Sequence, residues 1–360
     1  QVGVLDGALV EGGVGPQTRQ ALANFRAVLA TSGLTPADVV KTTVFLTTMS
    51  DFAAMNAEYA QVFAVDPPAR SAVAVHELPI GAVVEAYRDA PRIPGIAVAV
   101  VRGDTVVHTA GYGRTAHGDA VTDRTVLPIA SLSKSVTALA VMQLVEAGRL
   151  RLDAPVHAQL PEFTMADDRA AAITVRQLLD QTSGMSDTTY RPVSEHTPDT
   201  PRELVASMRN ARLAADPGSR FEYHNPNYQL AARLVEVAGG QDFETYLREH
   251  VFTPLGMTDS RTIDTPDDLP AVGPGHRMLA GLPIAVPEPP AFGNGSGGVL
   301  STAHDMAAWL ITQNRQGRAA DGTTVVSAAA ITAMHQRSAR SSYGFGWATG
   351  TTDAGTALID

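Results

Sequence analysis

Ser131 and Lys134 stand three residues apart in Ser131-Leu-Ser-Lys134, a spacing that sets a hydroxyl beside an amine on one face of a helix. Lysine is scarce here. Among 27 basic side chains in the 360-residue chain, only Lys134 and Lys41 are lysines, and every other one is arginine. A guanidinium stays charged and cannot cycle as a proton acceptor, whereas a desolvated ammonium gives up its proton readily. The pattern therefore points to a serine nucleophile with a lysine as its activating base. Read more plainly, Ser131 could do no more than cap the helix that follows, and the two roles are compatible.

The flanking sequence must position this pair. Pro128-Ile-Ala-Ser131 runs into an apolar helix ending near Ala147, with Val136, Leu139, Ala140, Gln143, Leu144 and Ala147 at helical spacing and Gly148 as the stop. Ser131 then sits at the helix N-terminus, where the dipole favours an alkoxide and a neutral lysine. Further along, Pro217-Gly218 turns, Tyr223-His224-Asn225 falls in a loop, and Tyr228 opens an amphipathic helix that stops at Gly239-Gly240. A tyrosine held beside a lysine can act as a general base, and Asn225 can offer its amide to a substrate carbonyl. Taken alone, the triplet is as readily read as a packing tyrosine. His224 reads as tuning the pocket rather than acting on substrate. Gly293-Asn-Gly-Ser-Gly-Gly298 could pass for a phosphate-cradling loop, but it lacks the preceding apolar strand and the following lysine. The 10 histidines show neither HExxH nor another paired ligand spacing, so no metal and no cofactor is expected.

Composition narrows the partners. A net charge of −10 argues against nucleic acid or an anionic membrane surface, both of which need a basic face. With no cysteine there is no disulfide, thiolate nucleophile or zinc-thiolate site. No run approaches the roughly 18 apolar residues that span a bilayer, so no membrane span is expected. The chain begins at Gln1 with no signal pattern, and a cytoplasmic location is expected.

Two unlike segments follow one another. In the first, Gly12-Gly13 and Gly15-Pro16 read as a loop, Thr18–Leu29 as a helix, and Val39–Thr47 as a strand. A second helix runs from a cap at Ser50 or Asp51 to about Phe63, and two short strands follow near Ser71–Val75 and Ala82–Tyr87. Pro91 and Pro94 mark a junction. Beyond it, Ile96–Val101 and Thr105–Ala110 form a hairpin turning at Gly103-Asp104. Thr188–Pro201 and Pro266–Pro290 read as exposed, proline-rich loops.

The first ninety residues resemble the reactive intermediate deaminase (Rid/YjgF) family. The likeness is carried by QTRQALANFRAVL, DVVKTTVFLTTMSDFAAMNAEYAQVF, PPARSAVAV and the LP-x-GAVVE run. It implies that Arg70 holds a substrate carboxylate and that Glu85 positions the water that hydrolyses an enamine or imine. It also implies about two further strands ahead of the matched region. A surface pair of Arg70 and Glu85 on neighbouring strands is the plainer alternative.

From about residue 92 onward, IPGIAVAVVRGDTVV, GYG, IASLSKSVTALAVMQLVEAGRLRLD, ITVRQLLDQTSGM, PGSRFEYHNPNYQLAARLVE, VFTPLGMTDS and GNGSGGVLSTAHDMAAWL stand in one family's order. Together they resemble the serine β-lactamase-like and penicillin-binding superfamily, in the class C-type branch that includes family VIII carboxylesterases. The expected fold is α+β: an antiparallel sheet flanked by helices, with a helical subdomain, spanning 91–360 after a partial Rid-like α+β domain at 1–90. The resemblance implies Ser131 as nucleophile, Lys134 as its activator, Tyr223 as partner base, and Asn225 contacting substrate. The substrate is then a small ester or amide, esters first and β-lactams or D-amino-acid peptides second. A catalytically silent scaffold is the rival, and a homo-oligomer follows from the trimerising habit of Rid domains. The family's third motif, Lys- or His-x-Gly on a strand beside the nucleophile, has no counterpart after Trp347. The 91–360 domain is accordingly expected to lack its C-terminal strands and helix.

Overall fold

The structure, a computed structural model, describes residues 4–5, 8–46, 48–65, 67–74, 84, 88, 93–190, 200–263, 275–279, 282–286, 294–351 and 357–359. Two compact units emerge, one centred on Gln1–Val83 and the other on Val84–Thr351 with Ala357–Asp360.

In the first unit, helix α1 (Val14–Thr31) is followed by strand β1 (Lys41–Leu46), helix α2 (Phe52–Val62) and strand β2 (Ala69–Ala74). The strands pair in parallel, as a crossover helix requires, with Thr42 opposite Arg70. Leu46, Met55, Tyr59 and Phe63 form the small core against Leu22 and Phe25 of α1. Gly15-Pro16, expected in a loop, belongs to the first turn of α1. A first-turn proline forfeits only an N–H with no intrahelical partner, so it does not break the helix. Of the strand expected at Ala82–Tyr87 only Val84 is described, and Glu85 lies outside the described residues.

The second unit opens with the expected hairpin, β3 (Gly95–Arg102) and β4 (Thr105–Gly113), paired antiparallel around Gly103. Strand β5 (Leu127–Pro128) leads into the nucleophile region and helix α3 (Ser133–Glu146). After α4 (Val175–Leu179) and α5 (Pro201–Ser207) comes α6 (Pro226–Gly239), whose left-handed cap is Gly240, as the spacing predicts. The short strand β6 (Arg261–Thr262) precedes a hairpin of β7 (Gly275–Leu279) and β8 (Leu282–Val286). That hairpin lies in the stretch expected to be loop. A proline such as Pro283 is tolerated in a two-stranded ribbon, where each strand has an unpaired edge. Strand β9 (Val299–Ser301) sits between β5 and β6, antiparallel to both. Helix α7 (Ala303–Asn314) packs on the β3–β4 hairpin, and α8 (Ala328–His335) packs on α3. A last hairpin, β10 (Thr349–Thr351) and β11 (Ala357–Ile359), follows Trp347.

Helix α3 is the axis of this unit. An apolar helix is expected here, and every residue from Ser133 to Met142 is buried. A helix buried all round is a central one. Polar side chains on it are therefore obliged to find partners, and they do. Thr137 Oγ1 donates to Ser133 O and Gly295 O at 3.1 and 2.8 Å, and Ser133 Oγ accepts from Val299 N–H at 3.0 Å.

A second buried polar knot holds the β6–β9 edge. The Asp305 carboxylate is fully buried and accepts from Asp259 N–H at 2.9 Å and Ser260 Oγ at 2.8 Å. We expect Asp305→Ala to cost about 2 kcal/mol, because it removes the acceptor of the half-buried Asp259 N–H and leaves Ser260 Oγ with Ser301 Oγ alone. A urea melt of the variant checks it, and an unchanged midpoint would mean water replaces the carboxylate at no cost.

Candidate active site

Ser131 lies in the 3-10 turn Ala130–Leu132 immediately ahead of α3. Ala130 takes a left-handed φ of 45°, a conformation a side chain adopts only at a cost. The strained turn leaves Ser131 exposed while Lys134, one turn on, is completely buried. Ser131 does not cap the helix: Leu132 occupies the N-cap and offers no side-chain cap bond. Its hydroxyl is engaged by the two other predicted groups.

Lys134 Nζ donates to Ser131 Oγ at 3.1 Å and to the Ser296 carbonyl at 2.7 Å. Tyr223 OH donates to the same Ser131 Oγ at 2.9 Å. The ammonium stands 4.8 Å from the centre of the Tyr223 ring and 5.9 Å from that of Tyr228. Among the described residues no carboxylate answers it, so burial acts unopposed and pulls the amine down from its usual value to about 7. When neutral, Lys134 keeps one N–H on the Ser296 carbonyl and turns its lone pair toward Ser131. That is the geometry of a base poised on a hydroxyl.

The glycine-rich segment thus has a role that its composition did not disclose. Its turn Asn294–Gly297 packs between α3 and α6 and presents main-chain oxygens, not N–H groups, to the nucleophile helix. Gly295 is needed there because a Cβ would come within 2.2 Å of Tyr228 O.

Tyr223 is held by its neighbours in sequence. The main-chain N–H of His224 donates to Gln181 Oε1 at 3.1 Å, and Asn227 Nδ2 donates to the same oxygen at 2.6 Å. Gln181 is fully buried with φ 61°. His224 is also fully buried, with Nδ1 2.7 Å from Asp187 Oδ1, so the ring proton faces the carboxylate. Burial lowers the His224 pKa, and the Asp187 contact only partly opposes it. His224 accordingly anchors the turn while the flanking Tyr223 and Asn225 stay exposed, Tyr223 at 43 %. Sequence reasoning alone does not single out Gln181, Asp187 or Ser296.

Behind the site, Tyr343–Trp347 runs along α3. Tyr343 meets the Tyr223 ring edge-on at 6.1 Å and 89°. Gly346 approaches α3 so closely that a Cβ would stand 2.6 Å from Ser135 N and 2.7 Å from Lys134 C. Among the described residues no group of three or more His, Asp or Glu is gathered that could hold a metal ion, and no helix is long and apolar enough to cross a membrane.

In the first unit, the Arg70 guanidinium lies 4.4 Å from the Tyr59 ring centre and 5.4 Å from that of Phe52. Tyr59 OH is 2.6 Å from Thr42 Oγ1. The structure thus gives Arg70 an aromatic bed, and its proposed partner Glu85 is not among the described residues.

Comparison with known proteins gives the families to which the two segments are similar. Residues 80–358 match the family model described as Beta-lactamase, and residues 1–90 match that for Endoribonuclease L-PSP, the Rid domain. Penicillin-binding protein 4 of Amycolatopsis lactamdurans is 34% identical over 73% of this chain and 73% of its own length. Protein flp of Staphylococcus aureus (strain MW2) is 27% identical over 64% of this chain, which spans about half of it (47%). The octameric penicillin-binding protein homologue from Pyrococcus abyssi superimposes with TM-score 0.64 at 26% identity, covering 78% of this chain and 67% of that one.

Proposed function

The chain belongs to the beta-lactamase family and is a serine hydrolase, and from that footing we propose that it cleaves small carboxylic esters through an acyl-enzyme on Ser131. The observation that carries the reading is the double engagement of Ser131 Oγ, by Lys134 Nζ at 3.1 Å and Tyr223 OH at 2.9 Å. Ser131 Oγ attacks the ester carbonyl as its proton passes to neutral Lys134. The C–O bond breaks, and the leaving alkoxide takes a proton from the Lys134–Tyr223 pair. A water then attacks the acyl-serine as its proton passes to that pair; the acyl–Oγ bond breaks, Ser131 Oγ takes the proton back from the pair, and the acid is released. Asn225, exposed beside Tyr223, contacts the substrate carbonyl side in this reading. Esters come first because they demand less oxyanion assistance than amides. The chemistry is assigned to a domain spanning 91–360, and the Rid-like 1–90 segment is assigned no part in it.

The test is an intact-mass measurement after rapid quenching with p-nitrophenyl acetate. We expect an acetyl adduct mapped to Ser131 and none on Ser131→Ala. An equal adduct on the variant, or none on wild type in a folded sample, would overturn the proposal. A penicillin is the second substrate to offer, since the Amycolatopsis lactamdurans relative is a penicillin-binding protein. A stable penicilloyl adduct without ester turnover would shift the reading from esterase to penicillin binding.

A further inference from the structure

The segment Tyr343–Trp347 touches both halves of the Lys134–Tyr223 pair. Gly346 lies against the main chain of Lys134 and Ser135, at a distance that admits no side chain. Three residues earlier, the Tyr343 ring stands edge-on to the Tyr223 ring, 6.1 Å centre to centre, and 5.7 Å from the Phe221 ring. The segment between them is tightly pinned. Gly344 N–H donates to Trp347 O at 2.8 Å, and Phe345 N–H donates to Met334 O on α8 at 2.8 Å. Ser338 N–H donates to Tyr343 O at 2.9 Å, and the exposed Arg340 donates from Nε to Gly218 O at 3.1 Å.

Tyr223 needs such support. Its own main chain is fixed through His224, but its ring is exposed and its hydroxyl bonds to the side chain of an exposed serine. An edge-on aromatic neighbour fixes a ring's rotation at a modest energy and does so without a polar group. From these contacts we infer that Tyr343 is a positioning residue: its ring holds Tyr223 in the rotamer that keeps the phenol on Ser131 Oγ and the ring beside Lys134. The Tyr343–Trp347 segment then acts as a spacer, its Gly346 end on the nucleophile helix and its Tyr343 end on the tyrosine loop. The inference rests on the proposed acyl-enzyme function.

The experiment compares kcat and KM for p-nitrophenyl acetate in wild type, Ser131→Ala, Tyr343→Phe and Tyr343→Leu. Tyr343→Phe keeps the ring edge and gives up the hydroxyl's bonds to Gln181 and Tyr228, so kcat should fall by no more than a few fold and stay well above that of Tyr343→Leu. Tyr343→Leu should lower kcat by roughly 10- to 100-fold with KM changed less than about threefold, the signature of a misplaced catalytic group. Arg340→Ala, an exposed change that leaves the core intact, should lower kcat by a few fold in the same direction. Phenylalanine failing as badly as leucine would overturn the ring-edge role. So would a loss carried by KM alone, or an unchanged kcat in whichever of the leucine and Arg340 variants folds. The controls separate this inference from its premise. Turnover surviving in Ser131→Ala removes the acyl-enzyme reading and this inference with it. Turnover abolished by Ser131→Ala but indifferent to Tyr343 removes this inference alone.

Discussion

Lys134→Met lowers kcat/KM for p-nitrophenyl acetate by roughly 10³- to 10⁴-fold while the protein stays folded, as expected when a general base is removed from its nucleophile. Methionine fills nearly the same volume in a site with no exposure and removes the ammonium's bonds to the Ser296 carbonyl and Ser131 Oγ. Lys134→Arg does no better, since a guanidinium cannot accept the serine proton. In wild type the same chemistry appears as an acid limb. Activity rises with pH as Lys134 loses its proton, with a midpoint near 7. A stopped-assay pH series on wild type locates the limb, and a flat profile from about pH 5.5 to about pH 9, or full activity in Lys134→Met, would remove lysine from the mechanism.

Stability should move with pH in the same direction as activity. In the unfolded chain the amine keeps its ordinary value of 10.5, against about 7 when folded. Between those values the unfolded state binds more protons, so stability rises with pH across that window. Below 7 both states are protonated and the full cost of burying the ammonium stands. Lys134→Met abolishes this slope, and we expect it to be the more stable protein at and below neutral pH. Urea midpoints of both proteins at about pH 6 and about pH 9 read the crossing directly.

Gly346→Ala carries the second large effect, a loss of about 3 kcal/mol. Two costs add. The residue holds φ 81°, and the new methyl would stand 2.6–2.7 Å from the main chain of Lys134 and Ser135. Gly240→Ala is the control, because Gly240 has φ 77° and nothing within 4 Å of where a Cβ would stand, so it isolates the conformational cost at about 1 kcal/mol. Thermal melting of the two variants separates strain from collision. Equal losses would show that α3 gives way freely to the methyl. Unequal losses, with kcat reduced only in Gly346→Ala, would show that the segment sets the position of Lys134.

How much of this is legible in the sequence depends on where the information lies. Ser131, Lys134 and Tyr223 can be named because their side chains carry the proposed chemistry and the order of segments is specific. Ser296 cannot, since what Lys134 uses is its main-chain carbonyl, a group every residue possesses. Gln181 and Asp187 act at one remove, through the main chain and the ring of His224, and nothing in their spacing announces it. The apolar run of α3 is legible, but the contacts of Ser133 and Thr137 to the 294–299 segment are not, since main-chain groups make them. The β7–β8 hairpin is hidden by prolines that a two-stranded ribbon can accommodate. Glu85 lies outside the described residues, and Arg70 resembles a ligand in sequence but rests on Tyr59 and Phe52 in the fold.

The scarcity of lysine and the burial of one of the two have a practical corollary. Lys41 is exposed at the start of β1, whereas Lys134 has no accessible surface. Amine-directed reagents should therefore find a single side-chain target, remote in sequence from the hydrolytic residues. A dye, tether or surface coupled through Lys41 would give preparations of uniform orientation whose turnover is untouched by the coupling chemistry.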